Sequence, residues 1–244
     1  MNDNLALEKK ILEQKRKDIL NEVEQKKRYQ EEIQKKLISV TKEAKGSYSQ
    51  EKENTEKIYM LLKKEIENYE EALKNPYFGR VDFDEKFGSQ EKIYIGKKGI
   101  TSTYDGEEIV VDWRAPVADL YYSGTGGEAY YKAPMGVVEG DLNLKRKFLY
   151  NEENLSKIFD EGTNEIIING EEGEGLVDEF LKINLEESRG KKLKEVVATI
   201  QKEQNDIIRW PKNLPIIVQG SAGSGKTTIA LHRFCLLYTS DAAD

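Results

Sequence analysis

From Leu5 to Ala44 the chain has neither Gly nor Pro, and apolar residues recur every seven at Leu5, Leu12, Ile19, Ile33 and Val40. Val23, Leu37 and Ala44 join them four residues on. This heptad seam, broken in its middle by Lys26 and Gln30, predicts one long helix. Gly46-Ser47-Tyr48-Ser49-Gln50 interrupts it, and a second stripe then runs Thr55, Tyr59, Leu62, Ile66, Tyr69 and Leu73 in alternating steps of four and three. Two such helices folded back on each other bury seam against seam. About forty residues rising about 1.5 Å each span about 60 Å, far beyond what a core element needs. The pattern therefore describes either a single flexible charged helix or, more sharply, a probe that enters a groove or channel of a partner.

Asn75-Pro76 closes the second helix, and short strand-like pieces follow: Tyr77 to Phe83, Lys92 to Gly96, Gly99 to Thr103 and Glu108 to Trp113. Turn signals such as Asp105-Gly106 separate them, which predicts β-hairpins. Leu120-Tyr121-Tyr122-Ser123-Gly124 continues the pattern, Lys145 to Tyr150 begins another strand or a turn into a helix, and Asn164 to Gly170 reads as a strand. Leu176 to Leu185 and Leu193 to Trp210 have helical spacing, split by Ser188-Arg189-Gly190 and ended by Pro211. Tyr121, Tyr122, Tyr130 and Tyr131 lie beside Arg114, Lys132 and Arg146, and two readings of them stand. They stack nucleic-acid bases, or they fill the core that a small sheet domain needs.

The strongest local chemistry comes near the end. Gly220-Ser221-Ala222-Gly223-Ser224-Gly225-Lys226-Thr227 fits G-x-x-x-x-G-K-[ST] at every fixed position. Ile216-Ile217-Val218 ahead of it reads as a buried strand, and Thr228-Ile229-Ala230-Leu231 after it as a helix start. A triphosphate is wrapped by backbone N–H groups, so side chains must be absent where the chain approaches it, and the glycines meet that need. The helix then turns its free N–H groups and positive dipole end toward the phosphates. Lys226 is a mobile charge suited to the β/γ-phosphates, and the Thr227 hydroxyl suits a magnesium ion that keeps most of its waters. Gln204 lies 16 residues ahead of Gly220. From there a neighbouring helix presents a carboxamide that both donates to and accepts from an adenine edge, the alternative being a solvent-exposed glutamine.

Composition narrows the picture. Apolar residues make up 38% of the 244-residue chain and charged ones 34%, so part of it is solvated on most sides. A formal net charge of -7 argues against indiscriminate nucleic-acid binding. Cys235 is the single cysteine, which rules out internal disulfides and cysteine-cluster metal sites, and the lone histidine, His232, is expected on a helix surface. The N-terminal stretch lacks a signal-peptide core and nothing approaches a membrane span, so a cytoplasmic protein with no membrane partner is expected.

Phosphate loop and upstream glutamine together resemble the superfamily 1 helicases of the UvrD/Rep type. A helical hairpin running into Asn75-Pro76-Tyr77-Phe78-Gly79-Arg80-Val81-Asp82-Phe83, then Ile93-Tyr94-Ile95-Gly96, then Val111-Asp112-Trp113-Arg114-Ala115-Pro116-Val117-Ala118, and later Val197 to Asn205, is similar to the HelD family of DNA helicase IV-like ATPases. The resemblance implies an ATPase that binds RNA polymerase and frees stalled complexes from DNA or RNA, its hairpin entering the secondary channel. It implies ATP and magnesium as cofactors. Lys226 is then the catalytic residue and Thr227 the magnesium ligand. Gln204, Gly220, Ser221, Ala222, Gly223, Ser224, Gly225, Lys226, Thr227 and Thr228 line the nucleotide. Some relatives carry an acidic cluster at the hairpin tip, whereas here the nearest carboxylates are Glu51 and Glu53.

The expected fold is α+β: a coiled-coil hairpin over 1–75, a small β-rich domain over 76–188, and the start of a RecA-like α/β domain over 189–238. The tail 239–244 fits the pattern poorly and is expected to be non-native. The magnesium carboxylate and the arginine for the transferred phosphate are not in the chain, so an N-terminal fragment is expected, inactive by itself. Two other functions stay open: a DNA repair helicase, and a polymerase-binding module that acts without ATP.

Overall fold

The computed structural model describes residues 2–44, 49–86, 88–161, 166–168, 171–172 and 197–240. The heptad seam forms helix α1, Asn2–Glu43, and the second stripe forms α2, Gln50–Ala72. Ser49 caps α2, its side chain accepting from the Lys52 amide. Leu12, Ile19, Val23, Ile33 and Val40 of α1 and Thr55, Ile66, Tyr69 and Ala72 of α2 are buried. The polar break at Lys26 is filled by the lysine itself. Its stem lies in the seam, its amine sits 5.1 Å from the Tyr69 ring centre, and it pairs with Glu65 at 3.0 Å. The residues that join the helices at the tip, 45–48, lie outside the described ones.

Only the outer part of the hairpin stands clear of the body. The inner half of α1 lies on the sheet, bonded to it through Glu8, Lys15, Arg16 and Glu22. Arg16 Nε also donates to the Leu73 carbonyl at the end of α2 at 2.9 Å, which fixes where the second helix stops. From Lys26 onward the seam packs on α2, so about 18 residues, or about 27 Å, project. That is half the reach the helix length alone predicts.

Among the described residues the strands make one nine-stranded sheet. They are β1 Gly79–Glu85, β2 Gln90–Gly96, β3 Ile100–Thr101, β4 Glu108–Asp112, β5 Gly127–Ala133, β6 Gly136–Asn151, β7 Asn154–Glu161, β8 Ile166–Ile168 and β9 Glu171–Glu172. Their order is β3-β4-β2-β1-β6-β7-β8-β9, with β5 alongside β6. All pairings are antiparallel except β2 with β4, where Ile95 faces Val111. The Asp105-Gly106 turn joins β3 to β4, with Gly106 at φ 77, a backbone region that glycine enters without strain.

The sheet separates two cores, and its period of two assigns residues to them. Tyr77, Tyr94, Val110, Phe148 and Tyr150 face the hairpin and meet Leu12, Ile19 and Val23. Phe78, Val81, Phe83, Ile95 and Val111 face the other way, toward Leu120, Tyr121, Tyr122, Ile208 and Ile229.

Two expectations change here. Leu120 to Gly124 is not strand: Pro116–Ala118 forms a 3-10 turn with proline at its start, and α3, Asp119–Ser123, follows. Proline pre-sets the helical φ and supplies no N–H for a ladder, so the tyrosines that read as strand become one helical turn. Strands β5 and β7 appear where no element is expected from the sequence, and β9 where the acidic run from Glu171 reads as a loop. The helix expected over 193–210 begins only at Lys202, after a short turn at 197–199, and its expected start at 193–196 lies outside the described residues, as do 176–185.

In the hairpin core a cluster of charges is largely shut away from water, with Asp160 at its edge. Glu8, with a side-chain exposure of 0%, accepts from Arg80 and from Arg146, both at 2.6 Å. Arg80 makes a two-point bond with Asp82, and Arg146 makes one with Asp160. The Tyr94 hydroxyl donates to the second Glu8 oxygen at 3.2 Å. Removing one member of such a cluster strands the others without solvent. Glu8→Ala is therefore expected to cost about 3–5 kcal/mol in chemical denaturation, whereas breaking the exposed Lys27–Glu70 pair with Lys27→Ala costs less than about 1 kcal/mol. Equal costs for the two would show that the cluster does not hold the helix down.

Candidate nucleotide site

The glycine-rich loop runs into a helix that begins at Lys226 (α5, Lys226–Ser240). Gly223 and Gly225 take φ values of 82 and 81, the left-handed region that a loop wrapping phosphate uses. The first intrahelical bond is from the Ile229 amide to the Gly225 carbonyl at 2.9 Å, so the N–H groups of the first turn open onto the loop. Lys226 folds back over it. Its amine donates to the Gly220 carbonyl at 2.9 Å and the Ser221 carbonyl at 2.7 Å, with Ser224 Oγ at 3.4 Å. The ammonium is thus already at the mouth of the loop. Thr227 is exposed and open to an ion.

Gln204 is on α4, Lys202–Ile208. It is half-buried, and a methyl group placed on Gly225 would lie 3.4 Å from its Nε2. The carboxamide therefore abuts the glycine-rich loop. Its oxygen accepts from the Gln201 amide at 3.3 Å, in a capping box that also fixes its direction. Gln204 and Gly225, 21 apart in sequence, are in this way brought side by side, which the spacing alone leaves undecided.

Several anchors were not legible in the sequence. Asn205, 1% exposed, donates to Asp119 Oδ1 at 2.5 Å and Ser123 Oγ at 2.9 Å. Arg209 donates to Asn205 Oδ1 at 2.9 Å and to the Trp113 carbonyl at 2.8 Å. Burial holds the Arg209 guanidinium below its ordinary range and nearby Asp119 opposes that shift. Arg233 of α5 donates to the Ile208 and Trp210 carbonyls, closing the end of α4. His232, expected on a surface, is buried edge-on to Trp113 at 5.5 Å between ring centres, its Nδ1 donating to the Thr228 carbonyl. The signal available for these was weak, since polar residues in a helix read as surface.

Three other expectations resolve. Ile216 to Gln219 forms no strand, and Ile217 is 86% exposed, because among the described residues no strand lies beside it to complete a ladder. Tyr121 and Tyr122 are core. Burial pushes both phenols up, so they stay neutral and donate to the Ala198 and Val197 carbonyls. Arg146 is locked in the buried cluster, and Arg114 makes a two-point bond with Asp112. Tyr130 and Lys132 alone of the basic and aromatic set stand exposed on one face of β5. Of the two readings, the core one holds for Tyr121 and Tyr122, and the seven residues do not share one stacking face.

Gly225→Ala forces a left-handed backbone on a residue with Cβ, costing about 1–2 kcal/mol, and presses on Gln204. Nucleotide titration of the complete protein is expected to show at least about tenfold weaker binding, while Gly106→Ala, in a remote turn with the same backbone sign, leaves binding unchanged.

Among the described residues no helix is long and apolar enough to cross a membrane. No curated protein matches the chain. The family model described as DNA helicase IV HelD, N-terminal domain, matches residues 5–173, which takes in the hairpin, the buried cluster and β1 to β9. The chain belongs to the HelD family of helicases.

Proposed function

We propose that the protein is an ATP-dependent helicase-family ATPase that binds RNA polymerase through its hairpin and uses ATP to free stalled complexes from nucleic acid. The observation that carries the ATP half is the convergence of Gln204 and Lys226 on one glycine-rich loop. The loop fits a triphosphate: its two left-handed glycines leave a concave run of amides, and an ammonium stands at its mouth. Gly220 to Thr228 would wrap the phosphates, Lys226 would meet the β/γ oxygens, and Gln204 would read the adenine edge. Thr227 would give magnesium one oxygen, the ion otherwise keeping its waters and neutralising phosphate charge. The hairpin supports the partner. It projects as a narrow two-helix rod from a clamped base, the shape that enters a channel, and its outer faces carry Tyr29, Ile38, Ile58 and Leu61 exposed.

In the complete protein, Lys226→Ala is expected to abolish ATP turnover and leave RNA polymerase co-purification intact, because the loop and the projecting helices are at separate ends of the chain. Loss of both together contradicts the assignment, and duplex unwinding without polymerase association returns the repair-helicase function. Gln204→Ala is expected to reduce preference for ATP over GTP by at least about fivefold, the lower end of a bidentate base contact.

The 244 residues alone are expected to bind ATP weakly or not at all. A phosphate loop is held open by buried parallel strands, and the segment ahead of this one is unpaired among the described residues. Titration with labelled ATP, with circular dichroism to confirm folding, checks this, and micromolar binding by the folded chain overturns it.

A further inference from the structure

Helix α4 has two working sides in adjacent residues. Gln204 lies against Gly225 of the phosphate loop, and Asn205, next in sequence, is buried in the sheet domain. The Asn205 amide spends both its protons there, one on Asp119 Oδ1 and one on Ser123 Oγ, and Ser123 in turn donates to Asp119 at 3.0 Å. Its carbonyl is taken by Arg209, one helical turn on, which also binds the Trp113 and Ala115 carbonyls. Both amide protons of the Asn205 side chain therefore go to the corner formed by Trp113 to Ser123, and its carbonyl reaches that corner only through Arg209. α4 is only seven residues long, too short to hold a position by itself. Its rotation about its own axis sets where the Gln201–Gln204 capping box points, and the Asn205 bonds hold that rotation together with Ile208, buried in the core.

We infer that Asp119 is a positioning residue of the nucleotide site: acting through Asn205, it sets the angle at which Gln204 meets the base, so adenine selectivity depends on a sheet-domain carboxylate that touches no nucleotide. This rests on the assignment of Gln204 as the adenine contact. A short helix pinned on one flank transmits angle rather than affinity for phosphate. Removing the pin blurs base discrimination and leaves the loop, with its own glycines and lysine, intact. The coupling runs both ways, since whatever fixes the carboxamide on a base also fixes Asn205 on the corner.

The test compares ATP, GTP and inorganic tripolyphosphate as competitors of a fluorescent nucleotide, in the protein expressed from its complete reading frame. Asp119→Ala is expected to lower the ATP-over-GTP preference at least about fivefold while tripolyphosphate affinity stays within about twofold, the size of effect a bidentate contact carries. Asp119→Asn keeps an acceptor for the Asn205 amide and is expected to restore the preference. Where Asp119→Ala does not fold, Ser123→Ala, which removes one acceptor at small packing cost, must shift the preference in the same direction. A folded Asp119→Ala or Ser123→Ala protein with wild-type preference overturns the inference, as does equal loss of tripolyphosphate binding, which marks a merely structural role. If Gln204→Ala itself leaves the preference unchanged, the adenine assignment falls instead, and the inference with it.

Discussion

Two guanidiniums and two carboxylates buried between a helix and a sheet, with a third carboxylate at their edge, fix the geometry of this molecule. Taking such charges out of water is costly, and the cost is recovered only where every bond has good geometry. Here Glu8 is shared by Arg80 and Arg146, each of which holds a second carboxylate in a two-point bond. Burial works against both guanidiniums, and the bonds to Asp82 and Asp160 reverse that and keep them charged. An apolar seam would allow α1 to slide by a turn. A carboxylate that must sit between two fixed guanidiniums does not, so the cluster sets where α1 lies and therefore where its outer end emerges.

Glu8, Lys15 and Glu22 each follow a seam residue by three, after Leu5, Leu12 and Ile19. They form a polar stripe directed at the sheet: Lys15 donates to the Ile109 carbonyl, and Glu22 accepts from the Thr103 amide and hydroxyl. The stripe stops where the helix leaves the body. One helix thus carries two patterns, apolar for its partner helix and polar for the sheet. The sheet is used on both faces, and residues adjacent in a strand, such as Val110 and Val111, serve the hairpin and the helices α4 and α5 respectively.

How much of this the sequence discloses follows from which signals are local. The hairpin, the strands β1 to β4 and β8, and the glycine-rich loop are written in period, turn residues and motif. Glu8 is not, because a glutamate in a charged helix looks solvated until its partners, more than 70 positions away, are known. β5 alternates half-buried and exposed residues, but Tyr130 on its exposed face hides the alternation in the sequence, and β7 spaces its apolar residues unevenly. The Ile216 to Val218 run has the composition of a strand, but strand is a property of a pair. Gln204 was legible by distance from the loop, whereas Asn205 was hidden beside it, its role resting on Asp119 in another part of the chain.

The unbroken run of α1 from body to tip gives the hairpin the mechanics of a cantilever. Its inner half is clamped at several points by groups with little freedom, and its outer half is braced only by a second helix of 23 residues. A rotation of the sheet by a few degrees becomes, over a free length of about 27 Å, a sideways sweep of a few ångströms at the far end. The sheet that would deliver such a rotation is the same plate on whose opposite face α4 and α5 rest.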